Sequence, residues 1–358
     1  MRFVLLFLIF VFSLMFLTLG IAKADYRLIV PQSPGAGTSV WAQIFAKHMS
    51  EAMKEKFIVE HIPGINDIPG FNKFHNELRF DDKTIMVAHG GNAESFLVDK
   101  VDYNYADYEP IATMSLNTIV TRNKTVDIEK DKIRMAHNSG VNPDMMAIIM
   151  LVCGPQKDVT TYLDCYKKRV IYVKGMPGSE SRLAFLRGEL NTIRETYVAH
   201  QKFLADKVKF GQAIDWFNHG VYDFSTGKIV QDHNFEGVKT FAAVYKERWK
   251  VEPSGDFYEA YTLMKNYRDV LQKALFVNKG NPNTEKLRQG VAYMITDPEA
   301  KKAFEADIGD YEWFVGKNFA TTIGKLKTQI TEKKLKTLVR ITNEGFGFET
   351  IYKPELLK

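Results

Sequence analysis

The segment Ser33-Pro34-Gly35-Ala36-Gly37-Thr38-Ser39 has the residue types of an anion-binding loop. It lies between a short apolar run, Tyr26–Pro31, and a stretch from Val40 onward in which apolar residues recur at helical spacing. Small residues let a ligand approach backbone N–H groups, and the N-terminus of the following helix adds partial positive charge. Thr38 or Ser39 would either cap that helix or donate a hydroxyl group to the ligand. The loop is neither a GxGxxG fingerprint nor a P-loop, which disfavours nucleotide binding.

His89 follows a third apolar run, Thr84–Ala88, and precedes Gly90, Gly91 and Asn92. Ligands of α/β sheets collect at the carboxyl ends of parallel strands, so His89 would either donate to an anion there or have a purely structural role. The sequence has no GxSxG, HExxH or CxxC motif, and its eight histidines lack metal-ligand spacing. We therefore predict a protein that is not an enzyme and needs no cofactor or metal.

Strands and helices alternate along the chain. After Phe57–Glu60, a second strand, comes a Pro/Gly loop at Pro63-Gly64. The same alternation restarts further on, with predicted strands at Ile133–Ala136, Val170–Val173, Thr192–Thr196 and Leu275–Val277, and predicted helices at Met145–Cys153, Ser179–Leu190, Thr284–Thr296 and Asp297–Ile308. Asp297 is expected to cap the last of these helices, with Pro298 at its first position. This alternation predicts parallel sheets in two α/β lobes, whereas the pattern of residues 215–255 predicts no topology.

The length, composition and charge of the chain limit the class of protein that it can be. The chain has 358 residues, 45% of them hydrophobic, which is longer than one typical domain and sufficient for a large core. The formal charge is +5, and because Arg2 and Lys23 are the only charged residues among the first 24, the chain from Asp25 onward carries +3. Nucleic-acid-binding proteins usually carry a much larger positive charge, so no nucleic-acid partner is expected.

The N-terminus has the pattern of a secretory signal peptide. Arg2 precedes an apolar run, Phe3–Ile21, that ends in the small-x-small tripeptide Ala22-Lys23-Ala24. The alternative is an uncleaved membrane anchor, because the run approaches the roughly 20 residues that span a bilayer. The cleavage site favours the signal peptide, and no cysteine lies near it to accept a lipid. We therefore predict an exported, soluble protein.

The chain has two cysteines, Cys153 and Cys165, which lie 12 positions apart. Export would place them where disulfides persist, so we predict that they are bonded to each other. Closing so short a loop would contribute about 2–3 kcal/mol on the chain-entropy account. Two buried thiols are the alternative, and a metal site would need ligands that the sequence does not offer.

An ordered set of segments carries a resemblance to a known family, namely Arg27–Ser39, the helix Val40–Lys56, Phe57–Glu60, Pro63-Gly64, Tyr108–Met114, Val170–Gly175 and Thr296–Phe304. Together they resemble the receptors of tripartite tricarboxylate transporters, also called Bug-type receptors. The resemblance covers residues 26–120 closely and continues, patchy but collinear, to about residue 310. No single motif is decisive, whereas the ordered set is fairly specific.

This resemblance implies an α/β, two-lobed Venus-flytrap fold of the type II-like periplasmic binding proteins, with two crossing strands between the lobes. The lobes would close on a ligand by a hinge motion. We expect residues 1–24 to be the signal peptide, residues 25–122 and 274–358 to form lobe one, and residues 123–273 to form lobe two. A monomer is the usual state of such receptors and is expected here.

The resemblance also implies which residues bind the ligand. The first two loops of lobe one would clamp a carboxylate group, and strand ends of lobe two would add further contacts. The implied residues are Ser33, Gly35, Thr38 and Ser39 in the first loop, Ile65, Asn66 and Asp67 in the second, and Ser139, Asn142, Lys174 and Glu195 in lobe two.

Two positions depart from the family pattern. The family usually has Pro-Gly-Ala-Gly-Gly in the second clamp, whereas this chain has Pro63-Gly64-Ile65-Asn66-Asp67. A charged Asp67 would repel an anionic ligand, so it must turn outward, be protonated or meet a cationic group; alternatively, the ligand is an amino acid or another zwitterion. The family commonly has an apolar residue and Asp where this chain has Arg194-Glu195. Because side chains alternate along a strand, we expect only one of these two to face the cleft.

The resulting prediction is a periplasmic solute-binding protein that captures a small carboxylate-bearing organic acid for the permease subunits of an inner-membrane transporter. Two other functions stay open. A receptor that reports its ligand to a membrane sensor kinase can use the same fold, and a secreted enzyme could assemble its site from distant residues. An enzyme would convert its ligand, whereas a receptor would return it unchanged.

Overall fold

The computed structural model describes residues 25–137 and 142–357, so the predicted signal peptide and Ser139 lie outside the described residues. The strands are β1 (Tyr26–Val30), β2 (Phe57–His61), β3 (Thr84–Ala88), β4 (Tyr108–Met114), β5 (Thr118–Asn123), β6 (Ile133–His137), β7 (Val170–Lys174), β8 (Thr192–Thr196), β9 (Ala213–Asn218), β10 (Val221–Asp223), β11 (Lys228–Val230), β12 (Lys273–Asn278) and β13 (Trp313–Val315). The helices are α1 (Gly37–Met53), α2 (Ile68–Asn76), α3 (Gly90–Val98), α4 (Pro143–Cys153), α5 (Val159–Arg169), α6 (Gly178–Leu186), α7 (Tyr197–Phe203), α8 (Ala205–Lys209), α9 (Phe241–Trp249), α10 (Asp256–Leu271), α11 (Thr284–Thr296), α12 (Pro298–Ile308), α13 (Lys317–Lys327) and α14 (Glu332–Arg340). None of these helices is long and apolar enough to cross a membrane.

Six strands form the first sheet in the order β13-β4-β12-β3-β1-β2. β1 is parallel to β2 and β3, whereas β12 is antiparallel to β3 and β4. Every residue of β3 is buried, which is typical of strands covered on both faces. Because β12 runs in the opposite direction, its first residues lie at the edge of the sheet where β1 and β3 end, with Ala274 opposite Ala88. Residues far apart in the sequence therefore meet at this edge.

The second lobe contains the antiparallel sheet β8-β5-β9 and the parallel pair β6-β7. The Asn191 N–H donates to Arg134 O, which brings the start of β8 beside β6. The chain leaves the first sheet through residues 115–117, and this crossing lies next to the end of β9, where the His219 N–H donates to Asn117 Oδ1 at 3.1 Å. The predicted α/β two-lobed fold is confirmed, and the exact lobe boundaries stay a prediction.

The C-terminal half of helix α10 is buried near the crossing. Each residue from Leu263 to Leu271 is buried, including Lys265, Arg268 and Asp269. The predicted cap of α12 is confirmed, since Asp297 accepts from the Ala300 N–H at 3.0 Å and Pro298 is the first helical residue. Residues 215–255, for which the sequence predicted no topology, contain most of β9, the hairpin β10-β11 and helix α9.

The predicted disulfide is confirmed, since Cys153 at the end of α4 is bonded to Cys165 in α5. Replacing both cysteines with serine is expected to lower the free energy of unfolding by about 2–3 kcal/mol, because the open chain regains loop entropy when it unfolds. Urea denaturation of the oxidised protein and the double variant measures the difference. The reduced parent protein is the control and should resemble the variant. Equal stability of the oxidised and double-serine proteins would show that the bond does not stabilise the fold.

Candidate functional site

A cleft lies where the strand ends of the two sheets face each other. Its walls come from both lobes, and most of its lining residues follow a parallel strand or precede the antiparallel strand β12. From the first lobe these residues are Gln32, Ser33, Ala36, Gly37, Thr38, Pro63, Gly64, Ile65, Asp67, His89 and Gln272. From the second lobe they are Ala136, His137, Gly175, Met176, Pro177, Gly178, Ser181, Ile193, Arg194, Glu195 and Thr196. Ligands of α/β proteins bind at such strand ends.

The cleft has an inner and an outer part that share Gln32, Ala36 and Gly178. The inner part has a volume of about 30 Å³, which leaves room for only a few atoms in this closed arrangement. The outer part has a volume of about 260 Å³ and extends past Ile65 to Pro177. A small ligand would therefore place one polar end in the inner part.

The loop after β1 forms one wall of the inner part. Helix α1 begins at Gly37, and its N-cap residue is Ala36, so neither Thr38 nor Ser39 caps it. The Thr38 hydroxyl oxygen instead accepts a hydrogen bond from Lys273 Nζ at 2.7 Å, across the sheet edge. Burial and the nearby Arg194 lower the pKa of Lys273 well below its usual value. An anion bound here would favour the charged form of this lysine.

A chain of hydrogen bonds connects the three strand ends of the first lobe. The Thr38 N–H donates to Gln32 Oε1 at 3.3 Å, and Gln32 Nε2 lies 2.9 Å from His89 Nε2. His89 Nδ1 lies 2.7 Å from Asp67 Oδ2. The Gly91 N–H donates to the same Nδ1 at 3.0 Å, so His89 is also the N-cap residue of α3. Burial lowers the pKa of His89, although Asp67 opposes this shift.

Asp67 turns inward, which corrects the expectation of an outward-facing turn residue. Its side chain is 1% exposed, and its backbone has a left-handed φ of 58°. The carboxylate lies against the N-terminus of α3, where a Cβ atom on Gly91 would be only 2.2 Å from Asp67 Oδ2. The absence of a side chain at Gly91 makes this approach possible. His89 and the first turn of α3 are therefore the neighbours of this buried carboxyl group.

The second lobe contributes a buried ion pair that reaches across the cleft. Arg182 Nε donates to Glu195 Oε1 at 2.7 Å, and Arg182 Nη1 donates to Gly35 O in the first lobe at 3.2 Å. The guanidinium carbon of Arg182 also lies 3.9 Å from the ring centroid of Phe203. Gly35 has a φ of 80°, a conformation that favours glycine. This arginine therefore ties the first-lobe loop to the second lobe in the closed arrangement.

Arg194 and Glu195 both line the inner part, whereas the sequence predicted that only one of them would do so. Four consecutive residues of β8, from Ile193 to Thr196, line the cavity, so it runs along the strand and not over one face. Arg194 contacts His137 through Nη2 and lies 3.7 Å from Asp144 Oδ2 through Nε. Arg194 is thus a cationic side chain of the second lobe that lines the cleft.

Behind Arg194, the fully buried Asp144 is the centre of a polar network. It accepts hydrogen bonds from Thr118 at 2.8 Å, His219 at 2.9 Å and Arg268 at 2.6 Å. Arg268 also pairs with Asp269. Because Thr118 and His219 belong to the crossing segments, the network connects the cleft to the junction of the lobes.

The predicted site residues divide into two groups. Those that line the cleft are Ser33, Thr38, Ile65, Asp67, His89 and Glu195. Those that do not line it are Gly35, Ser39, Asn66, Asn142 and Lys174. Ser139 lies outside the described residues.

Each residue of the second group has another role in the structure. Ser39 accepts from the Gly35 N–H, and Asn66 donates to Asp99. Asn142 caps α4 by accepting from the Met145 N–H at 2.8 Å. Lys174 is exposed and donates to Gly347 O at 3.2 Å.

Sequence reasoning missed the cleft-lining residues Gln32 and Gln272. It also missed Lys273 and Arg182, which contact the lining residues Thr38 and Glu195 from behind. Gln32 directly precedes the recognised loop and could have been included from its position at the end of β1. Gln272 directly precedes β12 and Lys273 begins it, and only the antiparallel direction of this strand brings them to the edge of the sheet where the cleft lies. Among residues 25–137 and 142–357, no group of three or more His, Cys, Asp or Glu side chains is placed to hold a metal ion.

Solved structures with the same architecture include the periplasmic binding protein BugD, with a TM-score of 0.60, 13% sequence identity and coverage of 90% of this chain and 98% of that chain. The chain has the fold of periplasmic solute-binding proteins. Rpa4515 of Rhodopseudomonas palustris with adipate gives a TM-score of 0.62 at 12% identity, covering 89% of this chain and 98% of that chain. MatC of the same organism with bound malate gives 0.58 at 13% identity, covering 89% and 100%.

The resemblance to Bug-type receptors is thus confirmed at the level of the fold. No family model matches the chain, and no curated protein matches it. BugD is a periplasmic binding protein, and the MatC and Rpa4515 structures contain the small acids malate and adipate.

Proposed function

We propose that this protein is a periplasmic receptor that captures a small organic acid between its lobes and delivers it to the permease subunits of a tripartite tricarboxylate-type transporter. One observation carries the proposal. The interlobe cleft combines the N-terminal turn of α1 with Arg194 and, behind Thr38, with Lys273. Helix N-termini and cationic side chains stabilise a carboxylate group without any cofactor.

The chemistry of the cleft agrees with binding more than with turnover. Its acidic lining residues, Asp67 and Glu195, are each held by a neighbouring side chain, His89 and Arg182 respectively. Neither is therefore poised as a free general base. The backbone N–H groups of the first loop and the hydroxyl groups of Ser33 and Thr38 are suited to hold a carboxylate in place.

The proposal includes location and partners. Residues 1–24 act as a cleavable signal peptide, so that the receptor starts at Asp25 and folds in the periplasm. Residues 25–122 with 274–358 form one lobe and residues 123–273 the other, and closure of the two presents a ligand-dependent surface to the permease. Malate and adipate are the small acids named with two of the structural neighbours, which supports an organic acid as the ligand class.

Binding of a carboxylate is the direct test. The purified chain from Asp25 onward is screened by thermal shift and isothermal calorimetry against mono-, di- and tricarboxylates and amino acids. A ligand at 100 times its Kd should add about 2.7 kcal/mol to the free energy of unfolding. Recovery of the unchanged ligand after incubation distinguishes a receptor from an enzyme. A panel without any binding carboxylate would contradict the proposal.

Thr38→Ala should weaken binding of the best carboxylate about tenfold, because one hydrogen-bonding hydroxyl group is removed and Lys273 loses its partner. Alanine keeps the backbone N–H and the helix. Thr321→Ala is the matched control, since Thr321 is exposed on α13 and its hydroxyl group donates to Lys317 O. Calorimetry of the three proteins provides the comparison. Equal weakening by both substitutions would show that Thr38 is not part of the clamp.

A further inference from the structure

Two side chains in the inner part of the cleft have polar atoms without hydrogen-bond partners among the described residues. Gln272 is 1% exposed, and both its amide nitrogen and its amide oxygen lack a partner. Thr196 is 2% exposed, and its hydroxyl oxygen lacks one. Both line the same small cavity. Buried polar groups are normally paired, so these atoms indicate that something else binds there.

The two side chains come from different lobes. Gln272 precedes β12 in the first sheet, whereas Thr196 ends β8 in the second lobe. A Cβ atom on Gly90 would lie 2.2 Å from Gln272 Oε1, and a Cβ atom on Gly37 would lie 3.2 Å from Thr196 Oγ1. Because Gly90 and Gly37 have no side chain, these polar groups can lie close to the backbone at the starts of α3 and α1. The subsite is complete only when the lobes come together.

A structural role does not account for these atoms. Thr196 is the N-cap residue of α7, a position where threonine commonly accepts a backbone N–H, but its side chain makes no such bond. The amide group of Gln272 donates to none of the described neighbours and accepts from none, although Arg268 is close enough to Gly90 to pack beside it. These unpaired polar atoms belong to residues that line the site where the ligand is proposed to bind.

We propose that Gln272 and Thr196 form a subsite that recognises a hydroxyl group next to the carboxylate of the ligand, an inference that rests on the proposed function. Gln272 offers a donor and an acceptor, and Thr196 offers both in one group. A hydroxyl group also donates and accepts, so it satisfies both side chains. The inner volume of about 30 Å³ accommodates a substituent of this size.

Two other substituents satisfy the subsite less well. An ammonium group has no lone pair, so it leaves Gln272 Nε2 without an acceptor. A second carboxylate group has no proton to donate at neutral pH, so it leaves Gln272 Oε1 without a donor. Each mismatch keeps one buried polar atom unpaired, which is the physical basis of discrimination between such analogues. In the plain acid a hydrogen atom takes this place and offers neither a donor nor an acceptor. The subsite therefore selects a hydroxy acid over the corresponding amino acid or plain acid.

Two matched sets of acids test this selectivity by calorimetry with the chain from Asp25 onward. The first set is propanoate, lactate and alanine, and the second is succinate, malate and aspartate. Within each set the carbon skeleton is constant and only the substituent beside the carboxylate changes. We expect the hydroxy acid of at least one set to bind about tenfold more tightly than both of its analogues.

Gln272→Leu and Thr196→Val each remove the polar group at nearly constant shape, and each should abolish the preference for the hydroxy acid while the plain acid keeps its affinity. Gln289→Ala, at an exposed position of α11, is the control and should retain the preference. Urea denaturation supplies a second readout. Because the buried amide of Gln272 has no partner in the described part of the chain, leucine should leave the unfolding midpoint unchanged or raise it.

The outcomes separate the two proposals. Binding of these acids with equal affinity within both sets, or a hydroxyl preference that survives in Gln272→Leu and Thr196→Val, would overturn the hydroxyl subsite and leave the receptor function standing. A lowered unfolding midpoint of Gln272→Leu would also count against it, since it would show that the amide has structural partners. Absence of binding by all six acids and by the wider panel would overturn both.

Discussion

Replacing Asp144 with alanine is expected to lower the free energy of unfolding by about 3–5 kcal/mol, because the substitution leaves buried cationic and polar groups without their partner. Asp144 is fully buried at the start of α4, in a helix that is otherwise almost entirely apolar. It pairs with Arg268 at 2.6 Å and accepts from Thr118 and His219. Few positions in the chain combine so many buried polar contacts.

The electrostatics of Asp144 support this expectation. Burial by itself raises the pKa of its carboxyl group, but Arg268 and His219 more than offset that effect, and the pKa lies well below its usual value. The charged form of Asp144 is therefore more favourable in the folded protein than in the unfolded chain. The stabilisation is present above the unfolded pKa of about 3.8 and is lost as the pH falls through the lower folded pKa.

Urea denaturation at pH 7 of the parent protein and Asp144→Ala measures the effect. Glu247→Ala is the control, because Glu247 forms an ion pair with Lys239 in which both side chains are about 60% exposed. Exposed pairs of this kind contribute about 0–1 kcal/mol. A loss below about 1 kcal/mol for Asp144→Ala would show that water or a rearranged Arg268 replaces the contact.

Lowering the pH from 7.5 to 5.5 is expected to destabilise the protein through three buried histidines. Burial lowers the pKa of His89, of His137 and of His219, and in each case a neighbouring Asp opposes the shift. The ordinary value is 6.5. Below it, the unfolded chain binds protons at these positions more readily than the folded chain does. Stability is therefore fully present above pH 6.5 and decreases as the pH falls.

Each histidine that stays neutral in the folded state contributes a slope of about 1.4 kcal/mol per pH unit below pH 6.5. Denaturant unfolding at pH 8.5, 7.5, 6.5 and 5.5 measures the slope. Between pH 8.5 and 7.5 these histidines contribute no slope, whereas Lys273, whose pKa is lowered, does, so the histidine effect is the increase in slope below pH 6.5. In His137→Gln the slope below pH 6.5 should be smaller than in the parent. A parent stability that stays constant down to pH 5.5 would refute the prediction.

Local patterns in the sequence predicted several features that the structure contains. The alternation of apolar runs and Gly-rich turns at residues 26–56 predicted β1, the loop after it and α1, because each is determined by neighbours in the sequence. The position of His89 after β3 and the pairing of the two cysteines were predicted in the same way. Asp144 offered a further signal, since a lone acid in an apolar helix requires a buried partner.

Which side chains line the inner part of the cleft depends on contacts between segments that are far apart in the sequence. Asp67 faces inward because Gly91 and His89, more than 20 positions away, provide space and a hydrogen bond for its carboxylate. Gln272 reaches the cleft because β12 is antiparallel to β3, a direction that its own residues do not encode. Arg182 approaches Gly35 only when the two lobes are close together.

The sequence by itself determined the alternating elements, the loop that meets the start of α1 and the disulfide, because periodicity and turn chemistry act over a few residues. The tertiary structure alone decided which side chains meet inside the cleft and which of their polar atoms are left for a ligand. The physical reason is that hydrogen bonding and burial depend on distances between segments that are far apart in the chain. Those distances are set by strand direction, sheet order and the closeness of the lobes.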